Sequence, residues 1–142
     1  MQRLQEITPE EGQGWHSVDA GPELDVLFHT NRPLPGRAED GIRRPSIVVA
    51  VKGRTGQILR FDPFDEDGHY HVRPTQADTP FPLLMDDGAS PLETALSFFN
   101  IPESFRRLLA EAGEPEVAAR VADEDLMGVP AQVVGISQAA RT

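Results

Sequence analysis

The chain has 142 residues, a hydrophobic content of 39%, a mean hydropathy of −0.36 and a formal net charge of −10 at pH 7. This length supports a single domain over residues 1–142, and the acidic balance argues against nucleic-acid binding because it repels phosphate backbones. The sequence has no cysteine, no apolar run of bilayer-spanning length and no signal-type N-terminus, so we expect a cytoplasmic protein without disulfides, thiolate metal sites or membrane association.

The first third of the chain is predicted to hold a strand and a long connection. Residues 1–14 are polar and are interpreted as an N-terminal arm or a short initial strand. A loose alternation of apolar residues predicts a strand at Leu24–Thr30. The connection at 31–45 carries three prolines and four arginines. Its last two arginines, Arg43 and Arg44, are expected to be solvated or to pair with acids of this chain or of a partner.

Residues 46–52, SIVVAVK, are apolar on both alternations, which predicts a central strand covered on both faces of the sheet. The sequence GRTG at 53–56 indicates a turn into the next strand, so these elements together predict an antiparallel meander. Cover on the second face hints at a homo-oligomer or a partner protein.

The stretch QILRFDPFDEDGHYHVRP, at 57–74, predicts a β-hairpin and holds the paired histidines. The segments 58–62 and 69–73 each alternate apolar and polar residues, and loop-type residues separate them. Pairing Asp62 with His69 sends two sets of side chains to opposite faces of the sheet. The apolar set is Leu59, Phe61, Tyr70 and Val72. The other set, named here the polar quartet, is Arg60, Asp62, His69 and His71.

The polar quartet has two interpretations. It is either a solvated or partner-binding sheet face, whose cross-strand pairs each contribute less than about 1 kcal/mol, or it is a site. In a site, His69 and His71 act as metal ligands or general bases, and Asp62 orients an imidazole or becomes a third ligand. Arg60 then holds an anionic substrate. Two imidazoles alone do not make a metal site, so a solvated or partner-binding surface is the preferred interpretation. We therefore expect no cofactor, and a divalent metal ion bound by His69, His71 and Asp62 is the alternative.

The last third of the sequence predicts helices. Ser90, Pro91 and Glu93 have the spacing of a capping box with proline at the first helical position, which starts a helix. A restart near Pro102 leads into a second apolar stripe that ends at Gly113.

A third, shorter helix is predicted at 116–122. Residues 126–136 fit either an edge strand or an extended docking segment, and 137–142 are expected to form a tail. Strands followed by helices favour an α+β fold, with a meander of about four strands followed by two to three helices packed on one face. The helices are expected on the apolar side of the hairpin, which leaves the polar quartet facing solvent, a partner or the connection at 31–45.

The string RFDPFDEDGHYHVRP resembles the signature of an uncharacterised bacterial family without an established activity. The resemblance covers residues 46–125 and includes leucine-rich helices that end in LLAEAG. It marks Arg60, Phe61, Asp62 and the run His69–His71 as signature positions without assigning them roles. A weaker likeness connects the hairpin with small bacterial proteins that accompany toxin–antitoxin modules.

Three functions follow from these features. The preferred one is a small accessory subunit that docks on a larger protein, with Phe61, Tyr70, Arg43 and Arg44 as candidate anchors. The second is a metal-dependent or acid–base enzyme that uses the His69 and His71 face, although no catalytic residue is identified. The third is an antitoxin-like binder, because an acidic chain suits a basic toxin.

Overall fold

The computed structural model describes residues 14–31, 43–54, 56–64, 68–72, 81–83 and 90–140. The N-terminal arm up to residue 13, most of the connection at 31–45 and the last two residues of the expected tail lie outside these ranges. The strands are β1 (Trp15–Val18), β2 (Leu24–His29), β3 (Ser46–Val51), β4 (Gln57–Asp62), β5 (His69–Val72) and β6 (Phe81–Pro82). The helices are α1 (Pro91–Asn100), α2 (Pro102–Glu111), α3 (Pro115–Arg120), α4 (Asp123–Met127) and α5 (Val129–Ala139).

The strands form one antiparallel sheet in the order β1-β2-β3-β4-β5-β6, so each strand pairs with its neighbours in sequence. This is the predicted meander, because short turns can connect only antiparallel neighbours. A register shift at Val49/Ala50 interrupts the pairing of β3 with β4. The fold is therefore α+β, as expected, with six described strands instead of about four.

The first three helices begin where the sequence predicts, within one residue. At α1 the Ser90 hydroxyl accepts a hydrogen bond from the Glu93 backbone N–H, and the Glu93 carboxylate accepts one from the Ser90 backbone N–H. Proline occupies the first turn of α1, α2 and α3, where its missing N–H has no cost. After α2, Gly113 takes a φ of +90°, a left-handed conformation that glycine adopts without strain.

The main core lies between the helices and one face of the sheet. Phe61 is fully buried there and contacts the rings of Phe98 and Phe99 at centroid distances of 5.3 and 5.8 Å. Phe99 in turn packs against Phe105 at 4.6 Å. Each such ring contributes on the order of 1.5–3 kcal/mol by burial, so this aromatic cluster fixes which face of the hairpin turns toward the helices.

The second face of the sheet is also buried. Leu27 and Val48 pair across β2 and β3, and both are almost inaccessible to solvent. The expected cover on both faces of the central strand is confirmed, and it is achieved within a single chain. It is therefore not in itself a sign of a homo-oligomer or a partner.

Four elements differ from the sequence prediction: the edge strands β1 and β6 and the helices α4 and α5. The edge strands β1 and β6 are too short for an alternation signal, since they have four and two residues. The segment that fitted an edge strand or a docking segment is helical, because it contains the end of α4 and most of α5. Helix α5 runs to Ala139, so the first three residues of the expected tail belong to it. The described part of the chain has five helices instead of two to three.

Candidate functional site

The β4–β5 hairpin places all four members of the polar quartet on one face. Asp62 pairs with His69 and Arg60 pairs with His71, so the register predicted from the sequence is confirmed. The quartet lies opposite the face that packs on the helices. A shift of one residue would have buried these charges among the aromatic rings, which explains why the register is well specified.

The quartet is enclosed rather than displayed to solvent or to a partner. The side chains of Asp62, His71 and Arg60 are 1%, 6% and 7% exposed, and only that of His69 reaches solvent appreciably, at 24%. This corrects the expectation of an open polar surface. Alternation along a strand fixes the face on which a side chain lies, but cover from other parts of the chain decides its exposure.

Asp62 is the centre of the cluster. Its Oδ1 accepts a hydrogen bond of 2.8 Å from the Ser46 hydroxyl, and its Oδ2 accepts one of 2.9 Å from Arg60 Nε. A buried carboxylate is costly unless it is paired and hydrogen-bonded, and both conditions are met here. The carboxylate is therefore held in one orientation by contacts from β3 and β4.

Both imidazoles of the quartet approach the same carboxylate oxygen. The Nε2 atoms of His69 and His71 lie 3.3 and 3.6 Å from Asp62 Oδ2. The two rings meet edge to face with their centroids 5.0 Å apart. One ligand atom from each of these three residues lies within 4.8 Å of the other two. The three side chains thus form a convergent set of two nitrogens and one oxygen.

Phe64 and Arg44 close over the His69 side of the cluster. The Phe64 ring contacts the His69 ring at 5.4 Å with an interplanar angle of 82°, and Arg44 Cζ lies 5.9 Å from the Phe64 centroid. The Phe64 and Arg44 side chains are themselves buried. Among the four quartet side chains, that of His69 is the one that reaches solvent appreciably.

A ladder of polar residues extends from the cluster across the sheet. His29 pairs with Ser46 on β3, and Ser46 bonds to Asp62, which pairs with His69. His29 does not join the quartet, because β3 separates its strand from the hairpin. Its ring packs edge to face against that of Trp15, with the two centroids 5.2 Å apart.

Sequence reasoning missed Ser46, which it explained only as the start of a strand. The alternation of SIVVAVK puts Ser46 and Val48 on one side, but the irregularity at Val49/Ala50 shifts the pairing with β4. If the residues of β3 and β4 were paired one by one outward from the GRTG turn, Ser46 would therefore be given the wrong partner on β4. The connection at 31–45 was one of the expected neighbours of this face, but nothing in the sequence indicates that its Arg44 packs on Phe64 or that Phe64 contacts His69.

The candidate partner anchors lie in different environments. Phe61 is fully buried in the core, so its ring cannot contact a partner in this structure, and Arg44 is buried beside Phe64. Arg43 is exposed, and Tyr70 is partly buried, with its ring stacked on Phe81 at 5.3 Å. Burial and then the charge of Glu111 raise the pKa of the Tyr70 phenol.

Comparisons with known proteins give a family but no assigned activity. In the described part of the chain, no helix combines the length and apolar character needed to cross a bilayer. No curated protein and no solved structure matches the chain. A family model described as "Domain of unknown function (DUF7700)" matches residues 18–140, which include the whole site. The chain therefore belongs to this uncharacterised family of unknown function, as the sequence resemblance had suggested in general terms.

Proposed function

We propose that the protein binds a divalent transition-metal ion through Asp62, His69 and His71, and that it acts as a metal-dependent enzyme. The observation that carries the proposal is the convergence of one carboxylate oxygen and two imidazole nitrogens within 4.8 Å of one another. Three protein ligands with a further position left for water or substrate are typical of catalytic zinc sites.

The two imidazole-to-carboxylate distances are compatible with coordination of one ion. Hydrogen bonds from nitrogen to oxygen have a usual length of about 2.9 Å, and contacts beyond about 3.5 Å are not counted. Ligand atoms that each lie about 2.1 Å from a tetrahedral ion are separated from one another by about 3.4 Å. The separations of 3.3 and 3.6 Å between the imidazole Nε2 atoms and Asp62 Oδ2 fall on either side of that value.

The donor types narrow the choice of metal. Neutral imidazole suits zinc, copper, iron and nickel, whereas magnesium and calcium prefer sites made only of oxygen ligands. Ser46 and Arg60 hold the carboxylate in place by hydrogen bonds, as the partners of metal ligands commonly do. Zn²⁺ is therefore the ion that we expect, with Co²⁺ as its spectroscopic substitute.

The surroundings of Asp62 favour metal-assisted chemistry in an enclosed site. A bound ion of this type acidifies water and polarises oxygen atoms, which is the basis of metal-assisted hydrolysis. The protein surroundings exclude bulk water from Asp62 and His71, while His69 reaches solvent on one side. Phe64 contacts the ring of His69, and Arg44 lies against Phe64.

The proposal is tested by measuring the metal content of the purified protein after it has been reloaded with Zn²⁺ or Co²⁺. We expect close to one Zn²⁺ or Co²⁺ per chain in the wild type and a loss of at least tenfold in occupancy in His69→Ala with His71→Ala. His16→Ala is the matched control, because His16 lies exposed on β1, away from the cluster. Near-ultraviolet circular dichroism of each variant checks that it has folded.

Stability measurements give a second readout. An ion that binds only the folded protein at 100 times its Kd adds about 2.7 kcal/mol, which raises the Tm of a domain of this size by roughly 5–10 °C. Substoichiometric metal that is the same in the wild type and the double variant, without a shift in Tm, would contradict the proposal.

Docking on a larger protein stays a prediction, and so does an antitoxin-like role. Two of the four candidate anchors for docking, Phe61 and Arg44, are buried, and so are three members of the polar quartet. Arg43 is exposed and Tyr70 is half-buried, and the two residues line separate pockets. A metal-dependent site is therefore the function that the geometry supports best.

A further inference from the structure

Helix α5 turns an exposed, uncharged face to solvent. Its buried side includes Val129 and Val133. On the opposite side the residues are exposed and follow the helical repeat. Met127 lies four residues before Ala131, and the backbone of Gly128 between them stays in the right-handed helical region, so Met127 continues the same row. This row is named here the α5 stripe, and its members are Met127, Ala131, Val134 and Gln138.

The α5 stripe combines exposed apolar side chains with a lack of charge. Met127 and Val134 are large apolar residues, and they are 51% and 42% exposed. Residues 129–140 contain no acidic or basic residue, although the chain has 23 acidic residues and 13 lysines and arginines. Exposed apolar residues that lie side by side typically mark an interface with another protein. The stripe therefore has the composition of a protein interface.

The charge of the protein points to a second copy of the chain as the occupant of the α5 stripe. With a net charge of −10, two copies repel each other over most of their surfaces. This repulsion is smallest where two uncharged stripes meet, because like charges are then not brought face to face. A basic partner would gain no attraction from an uncharged stripe and would favour the acidic surfaces instead.

The spacing of the α5 stripe is the same in both directions along the helix. Its four residues follow one another at intervals of four, three and four positions, which is the spacing of the a and d positions in a coiled coil. In an antiparallel pair of helices this symmetry places Ala131 opposite Val134 of the other copy, and Met127 opposite Gln138. The stripe is thus complementary to itself, with a small residue facing a larger one at its centre.

The acidic residues of α4 favour the antiparallel orientation over the parallel one. Glu124 is exposed and lies three residues before Met127, at one end of the α5 stripe. Parallel helices would bring the two Glu124 carboxylates side by side, which is unfavourable for like charges. Antiparallel helices separate them by about 25 Å along the axis, at 1.5 Å per residue.

We propose that two copies of this chain associate through α5 as a symmetric, antiparallel dimer. The same stripe of each copy forms the interface, as twofold symmetry requires. Because α5 has 11 residues, the interface is small, and interfaces below about 1,200 Å² are weak or transient. We therefore expect a Kd between about 10 μM and 1 mM. The proposal does not depend on the metal site, since no residue of the stripe belongs to the polar quartet.

Sedimentation equilibrium of the full chain between about 10 μM and 1 mM tests the association. The average mass of the wild type should rise from 15.6 kDa toward twice that value. Ala131→Glu keeps a good helix former but places a carboxylate from each copy in the interface, so dimerisation should weaken at least about tenfold. Ala110→Glu is the matched control, because Ala110 is an exposed alanine of α2, and it should associate like the wild type. Circular dichroism of each variant checks that it has folded.

Disulfide cross-linking tests the orientation, and the absence of cysteine from the sequence makes it specific. A mixture of Ala131→Cys and Val134→Cys should oxidise to a cross-linked heterodimer, identified by its mass. Met127→Cys alone should not cross-link, because its two copies are offset by about 16 Å along the axis, beyond the roughly 7 Å between Cα atoms that a disulfide can span. A constant mass of 15.6 kDa up to the highest concentration, or equal association of the wild type and Ala131→Glu, overturns the proposal. Efficient cross-linking of Met127→Cys with itself also overturns it, because the helices are then parallel.

Discussion

Replacing Asp62 by asparagine tests whether the carboxylate is the electrostatic centre of the buried cluster. The substitution keeps the size and shape of the side chain and removes only its charge. Arg60 Nε then loses its anionic partner while remaining 7% exposed, and the two imidazoles lose the oxygen on which they converge. We therefore expect a loss of stability that is dominated by one unpaired, buried guanidinium.

The expected magnitude follows from the burial of the pair. Removing one partner of a buried ion pair typically costs 3–5 kcal/mol, against a total stability of about 5–15 kcal/mol for a domain. With an m-value near 2 kcal/mol per molar urea, the unfolding midpoint should fall by about 2 M. Urea unfolding in the presence of a chelator measures this loss without any contribution from bound metal.

A surface pair on the same sheet provides the matched control. Asp25 lies 3.9 Å from Lys52, and their side chains are 39% and 51% exposed. Asp25→Asn should therefore cost less than about 1 kcal/mol. Combining Asp62→Asn with Arg60→Met should recover part of the loss, because no lone charge is then buried. A loss below about 1 kcal/mol for Asp62→Asn, equal to that of the surface control, would refute this account of the cluster.

Two further predictions concern residues outside the site. Tyr70 is the single tyrosine of the chain, so the phenolate absorbance reports on it alone. Because burial and the charge of Glu111 raise its folded-state pKa, alkaline titration of the native protein should have its midpoint above the value near 10 of the urea-unfolded chain. The neutral Tyr70 phenol contributes to stability at pH values below the pKa of the unfolded chain, and this contribution is lost as the pH rises through the pKa of the folded protein. A titration midpoint of the native protein at or below that of the unfolded chain would contradict this. Ser90→Ala removes the hydroxyl of the capping box and should cost about 1 kcal/mol in urea unfolding, whereas an unchanged midpoint would show that the cap does not hold α1.

The hairpin was predictable because its information is local. The segments 58–62 and 69–73 alternate apolar and polar residues and are separated by a loop of six residues. Only one pairing register then separates the aromatic rings from the charged groups, and the structure has that register. The start of α1 was predictable for the same reason, since Ser90 and Glu93 satisfy each other's backbone within one turn. Helix α5 was not predictable, because Gly135 and the β-branched valines beside it have low helix propensity. Packing in the folded protein compensates for this low propensity.

The composition of the site was only partly predictable. The polar quartet came from the hairpin alone, but Ser46 joins it from a strand whose register is displaced by an irregularity between β3 and β4. The cover by Phe64 and Arg44 depends on how separate segments fold over the sheet. Neither feature produces a periodic pattern, so sequence reasoning could not assign them.

The sequence by itself determined which four side chains share a face, since strand geometry alternates with a period of two and burying charge beside Phe61 would be prohibitive. Only the tertiary structure decided that this face is enclosed and that both imidazoles aim at one oxygen of Asp62. Burial and side-chain convergence arise from contacts between elements distant along the chain, and these contacts turn a polar sheet face into a candidate metal site.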